Sequence, residues 1–227
     1  MDMRIAISRF ADLGFCELKL VYHFLEERKP VFHPNVYLGG VQHAASAEED
    51  SQKPHVSVTL EELLDALKDG ESVIEFPSES VRVEFRHSGL TFSGRLDKLV
   101  KSGREAFVID EKFTGGNGGQ FHGKYAKQLS AYCHGLADGK TSVGGVTIGE
   151  KVFAGLSLSG KIVERDIESR APLGEPLTVM FDEESFKPSL ERFSEIMRGS
   201  FEARELACGN PARCAICEYR SECENRC

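Results

Sequence analysis

The tail of the chain reads Cys214-Ala-Ile-Cys217-Glu-Tyr-Arg-Ser-Glu-Cys223, and Cys16 stands alone near the opposite end. C-x2-C-x5-C is metal-ligand spacing, but it offers three thiolates where a closed site takes four. Cys16 completes the set only in a fold that brings the two ends of the chain together. The pattern therefore predicts a closure. A metal centre pins an N-terminal segment (about 8–27) to a C-terminal one (about 205–227), around a core of about 39–170 in one domain spanning 1–227. Four thiolates suit zinc as well as an iron–sulfur cluster, so the spacing leaves the metal open. Cys208 or Cys227 could stand in for an assigned ligand, and Cys133 reads as a free thiol.

At 227 residues the chain can bury a real core, and its 41% apolar content is that of a globular protein. No apolar run is long enough to span a membrane. The opening Met1-Asp-Met-Arg-Ile-Ala-Ile-Ser shows no signal-peptide pattern, so the expected location is the cytoplasm. Disulfides do not persist there, and seven cysteines argue for metal. The net charge of −8 opposes a nucleic-acid partner. Between Arg82 and Lys127, however, nine Lys/Arg face five Asp/Glu, so the basic excess falls on one segment.

Periodicity predicts a helix over about 8–27, then a loop through Pro30, Pro34, Gly39 and Gly40. Thr59-Leu-Glu-Glu62 reads as a capping box opening a helix that ends near Gly70, with Leu60, Leu63, Leu64 and Leu67 on its buried face. Strands follow at Val81–Phe85, Leu90–Val100 and Ala106–Phe113. The run Gly115-Gly-Asn-Gly-Gly119 lacks a phosphate-loop pattern. It leads to a helix over about Lys124–Leu136. Val152–Leu158 and Lys161–Ile167, joined at Ser159-Gly160, are expected to form a hairpin. A last helix over about Pro188–Leu206 delivers the chain to the cysteines.

The residues that carry chemistry are Gly94-Arg-Leu-Asp97-Lys, Val108-Ile-Asp110-Glu-Lys112 and Gln128-Leu-Ser-Ala-Tyr132. Asp97 is expected to close a strand. Asp110 and Lys112, two apart, share a face of the next strand. Two carboxylates converging on one point repel unless a cation lies between them, and hard oxygen ligands suit Mg²⁺ or Mn²⁺. A lysine beside that cation can orient a water or neutralise charge on a phosphate. Gln128 and Tyr132 lie one turn apart on one helix face, which Tyr125 shares.

Asp, then (D/E)-x-K, then Q-L-x-x-Y, on strand, strand and helix, resembles the RecB-type branch of the PD-(D/E)XK nuclease superfamily. Within that branch the cysteine arrangement and compact length look most like the CRISPR-associated exonucleases of the Cas-four type. The resemblance implies an α/β fold: a restriction-endonuclease-like mixed central sheet flanked by helices, its terminal segments joined by a [4Fe–4S] cluster on Cys16, Cys214, Cys217 and Cys223. It implies Mg²⁺ or Mn²⁺ held by His43, Asp97, Asp110 and the Glu111 carbonyl, with His33 and His55 as rivals to His43. Lys112 would activate water, and Gln128 and Tyr132 would orient it or the strand. The implied activity is hydrolysis of single-stranded DNA, 5′ to 3′, in CRISPR adaptation beside integrase proteins. Two other readings remain: a stand-alone repair or recombination exonuclease with the same chemistry but no CRISPR role, and a non-enzymatic DNA-binding or assembly factor.

Overall fold

The computed structural model describes residues 3–31, 34–53, 57–115, 121–201, 206 and 211–223. His33, His55, Cys208, Cys227 and Gly116 to Gly119 lie outside them. The helical elements are α1 (Ile7–Phe10), α2 (Glu17–Leu20), α3 (Pro34–Ser51), α4 (Leu60–Lys68), α5 (His122–Asp138), α6 (Glu183–Met197) and α7 (Pro211–Ala215). The strands are β1 (Met3–Ala6), β2 (Val73–Phe76), β3 (Val81–His87), β4 (Leu90–Arg95), β5 (Lys98–Ser102), β6 (Glu105–Thr114), β7 (Lys140–Val143), β8 (Val146–Glu150), β9 (Ser157–Asp166) and β10 (Leu177–Met180). They form two mixed five-stranded sheets, ordered β1-β4-β3-β7-β8 and β10-β9-β6-β5-β2, with helices flanking them.

The chain crosses from one sheet to the other between β4 and β5, and Asp97 sits in that bend. The single strand expected over 90–100 is thus two strands in different sheets. β5 runs antiparallel to β6 with Lys98 opposite Ile109, so Asp97, one residue earlier, comes opposite Asp110. β9 runs parallel to β6 from Ser157 to Asp166 without interruption. The expected hairpin at Ser159-Gly160 does not form. A turn signal was read there, but Gly160 has a packing reason: a Cβ on it would stand 2.7 Å from the Leu129 side chain of α5. Two-residue turns stand instead at Ser88-Gly89, Gly103-Arg104 and Gly144-Gly145, joining β3 to β4, β5 to β6 and β7 to β8.

Other boundaries also differ. The helix expected over 8–27 is preceded by β1 and broken into α1, a 3-10 turn, α2 and a π turn, with Cys16 extended at the N-cap of α2. The loop expected through Gly39 and Gly40 is helical. α3 starts on Pro34, where the missing N–H costs nothing, and runs through both glycines. The Thr59–Glu62 capping box forms as expected, but only Leu67 of the four α4 leucines is buried and Leu60 is exposed. α6 starts at Glu183 behind an Asp182 cap, so Pro188 falls inside it. The core is continuous, with Phe10, Phe92 and Phe193 packed edge-on where α1, β4 and α6 meet.

Candidate active site

β6 has a different helix on each face. Asp110 and Lys112 turn toward α5. Glu111 and Phe113 turn toward α3, where the Ser46 hydroxyl donates to Glu111 at 2.9 Å and the His43 ring stands edge-on to Phe113 at 5.1 Å. The bend at Asp97 brings a third element to the same point. Asp97 Oδ2 accepts from the Glu111 N–H at 3.0 Å and lies 3.7 Å from His43 Nδ1. Asp97, Asp110, Glu111 and His43 therefore come together from a bend, a strand and a helix far apart in sequence.

On the α5 face, Lys112 Nζ lies 2.7 Å from Asp110 Oδ2 and 5.3 Å from the Tyr125 ring centre. Gln128 Nε2 stands 3.4 Å from both Asp110 Oδ1 and the Tyr132 hydroxyl, which accept from it. Gly94 makes room for Tyr132: a Cβ there would lie 2.6 Å from its ring. The electrostatics follow from this crowding. Burial, and then the neighbouring Asp110, push the Asp97 carboxyl well above the usual range. Burial opposes the Lys112 charge, but Asp110 and Asp97 outweigh it and hold the ammonium more firmly than usual. Burial and Lys112 keep His43 neutral to a lower pH than usual. Burial lifts the Tyr125 and Tyr132 hydroxyls well above their ordinary value, so both remain protonated donors.

Among the described residues, no three His, Cys, Asp or Glu side chains already stand in metal-binding geometry. Even so, the donor set suits a hard cation. Asp110 is 1% exposed with the Lys112 ammonium 2.7 Å from its Oδ2, and Asp97 beside it is pushed toward protonation by burial and by Asp110. A divalent ion between the carboxylates would relieve their repulsion.

Some residues at the site were not read from the sequence. Arg165 on β9 holds Glu111 through Nε at 3.0 Å and Nη2 at 2.9 Å. Lys98 bridges Asp50 at 2.9 Å and Glu111 at 3.8 Å. Together with Gln42 on the Ile167 carbonyl and Glu49 on Arg170, these dock α3 by a polar face at positions 42, 46, 49 and 50. That spacing is helical but carries no apolar signal, so periodicity passes over it. Glu164 lies beside Lys112 on β9 and pairs with His122 at 3.2 Å. The basic excess of 82–127 is divided between the interior and the surface, where Arg82, Arg86, Arg95 and Arg104 are exposed. Lys101 is fully buried and donates to backbone carbonyls closing α4, Lys112 pairs with Asp110, and Lys124 with Asp12.

The cysteines gather at one pole. Arg213, next to Cys214, donates to the carbonyl of Phe15, next to Cys16, at 3.0 Å. Cys217 follows Cys214 by one turn, and its thiol is raised by burial, with Cys16 among its charged neighbours. Tyr22 contacts Cys223 at 3.5 Å. All four are half-buried. The ends are also held by protein contacts alone: Tyr219 is 1% exposed, and Arg9 and Lys19 reach Glu218 at 3.1 and 3.6 Å. Cys133 is buried on α5, its thiol pushed up to about 12 by that burial.

Two mixed sheets meeting at a carboxylate-bearing bend, with a lysine two residues beyond the second carboxylate, are consistent with a restriction-endonuclease-like fold. The sequence matches the PD-(D/E)XK nuclease superfamily over residues 18–224, and the chain belongs to that superfamily. Among solved structures, SSO0001 superposes with a TM-score of 0.50 at 13% identity, covering 100% of this chain and 89% of that one. A protein described as "Putative exonuclease" from Eubacterium rectale superposes with a TM-score of 0.50 at 12% identity, covering 99% and 88%. No curated protein matches significantly. Among the described residues, no helix is long and apolar enough to cross a membrane.

Proposed function

We propose that the protein is a divalent-metal-dependent exonuclease of single-stranded DNA. The observation that carries this reading is the opposition of Asp97 and Asp110 across β5 and β6, with Lys112 on the same face beneath Gln128 and Tyr132. Asp97, Asp110, His43 and the Glu111 carbonyl would hold Mg²⁺ or Mn²⁺. The ion would supply a polarised phosphate and a more acidic water at neutral pH. Lys112, held as an ammonium, orients the attacking oxygen and neutralises charge building on the phosphoryl oxygens. Gln128 fixes Asp110, and the protonated Tyr132 hydroxyl anchors Gln128. Superfamily membership and the exonuclease description of the Eubacterium rectale protein support hydrolysis of DNA ends.

The cysteine pole would hold a [4Fe–4S] cluster on Cys16, Cys214, Cys217 and Cys223. The supporting observation is that the segment carrying Cys214 is joined to the one carrying Cys16 by the hydrogen bond from Arg213 to the Phe15 carbonyl. Trimming of spacer precursors beside a CRISPR integrase, 5′ to 3′ and in the cytoplasm, is the role we assign by resemblance. A repair or recombination exonuclease would use the same chemistry.

The decisive experiment is digestion of single-stranded DNA labelled at either end, with Mn²⁺ and with EDTA. Metal-dependent loss of substrate is expected, the 5′ label being released first. A specific observation favours a second reading, a non-enzymatic assembly factor that docks on a basic partner and binds DNA only weakly. The chain carries a net charge of −8, and Lys101, Lys112 and Lys124 are engaged internally. Salt-sensitive DNA binding with no cleavage by folded protein would favour that reading.

A further inference from the structure

Away from the carboxylates, a groove of about 970 Å³ opens between α4 and the outermost strands of the two sheets, β2 and β8. β2 pairs only with β5 among the described strands, and β8 only with β7. The groove is apolar along its length, lined by Val58, Leu60, Leu63, Val73, Val146 and Ile148. Val73 is 70% exposed, Val146 60%, Val58 55% and Leu60 44%. Two sheet edges bordering an aliphatic trough are a template for another strand, which folded proteins ordinarily cover or charge. Here four aliphatic side chains of the trough stay exposed.

The charges around it select the occupant. Among the described lining residues, Asp50, Glu62 and Glu75 stand against one cation, Lys53, which Asp50 already binds at 2.5 Å. A DNA strand would bring phosphates to carboxylates, and the aromatic ring of the lining, Phe76, is 4% exposed and offers no stacking face. A second copy of the chain would oppose the same carboxylates to themselves. An extended peptide with alternate aliphatic and Lys/Arg side chains satisfies every feature: main-chain hydrogen bonds to the β2 edge, aliphatic groups in the trough, cations at Glu62 and Glu75.

We propose that this groove is a docking site for an extended basic–aliphatic segment of a partner protein, bound as an added strand on β2. Ser78 lines both the groove and the small cavity at His43, Asp97 and Glu111, so the partner would sit next to the candidate active site. The inference does not depend on the nuclease reading.

The test uses the full chain and a fluorescein-labelled peptide of three Lys-Val repeats, with three Glu-Val repeats as control. Anisotropy should show binding of the Lys-Val peptide, none of the control, and about tenfold or greater weakening in Val73→Glu and in Val146→Glu. Both substitutions fall on exposed positions, and circular dichroism checks that the variants fold. Amide resonances of residues 73–76 should shift on titration. Failure of the Lys-Val peptide to bind, unchanged binding by both variants, or shifts confined elsewhere would overturn the proposal. So would competition by oligo-dT for the groove, or a dimer in sedimentation that Val73→Glu dissolves.

Discussion

Lys112 and Asp97 respond in opposite ways to one crowding of charge, the first held charged by its neighbours and the second pushed toward neutrality. Lys112 is stabilised as a cation by two carboxylates. Removing it leaves Asp110, 1% exposed, without its counter-charge. Lys112→Ala should lower cleavage by about 100- to 1000-fold while leaving the fold of the cysteine pole, and any iron bound there, unchanged. Comparable cleavage by that variant would end the assignment. Asp97 works against the fold, because burial and Asp110 both disfavour its charge. In EDTA, Asp97→Asn should therefore melt no lower than the wild type, and higher if repulsion dominates, although it loses activity. Mn²⁺ should raise the melting temperature of the wild type and not that of Asp97→Asn, since only a native state that binds the ion gains from it. A scanning-calorimetry pair with and without Mn²⁺ reads both effects.

Among the elements, α3 carries the candidate ligand His43 yet docks through polar contacts rather than an apolar stripe. Its hold on β6 passes through Glu111, which is 4% exposed and whose carboxyl, despite burial, is kept below its ordinary value by Ser46, Lys98 and Arg165. Arg165→Met would leave that carboxylate short of its bidentate partner. The expected cost is about 3 kcal/mol in urea unfolding at neutral pH. Ser46→Ala removes one hydrogen bond and should cost about 1 kcal/mol. If His43 is a ligand, both variants should need more Mn²⁺ for half-maximal activity. Equal metal requirement would show that α3 does not set the site.

For the whole molecule, the closure of the two ends rests on a buried charge cluster as well as on the cysteines. Asp12 is 2% exposed, 2.7 Å from Lys124 and 3.1 Å from Lys19, and these lysines hold its carboxyl below its ordinary value against the effect of burial. A carboxyl depressed in the folded state contributes stability above its unfolded pKa and loses it as pH falls through the folded one. Asp12→Asn should therefore cost about 3–5 kcal/mol at neutral pH, with the difference from wild type shrinking in acid. Urea unfolding at pH 7 and at pH 3 measures both. Cys217→Ser should lower the melting temperature and release the tail to protease if a cluster joins the ends. A variant that kept its melting temperature would leave Tyr219 and the Glu218 ion pairs as the whole of the joint.

The sequence by itself determined what local chemistry can specify. The Thr59–Glu62 capping box forms where four residues dictate it. Asp110 and Lys112 share a face because strand geometry has period two. Gln128 and Tyr132 line up because a helix returns every turn. Tertiary structure decided whatever depended on contacts between distant segments. Gly160 looked like a turn but is a glycine because Leu129 of α5 packs on it, so β9 runs straight through. Asp97 looked like the end of one strand but is the bend between two sheets, and only there does it meet Asp110 and His43. The basic excess falls on one segment of sequence, yet Lys101 and Lys124 point inward to partners tens of residues away while Arg82, Arg86, Arg95 and Arg104 stay exposed. Which face a charge meets is a property of the packed chain, and no window of neighbouring residues contains it.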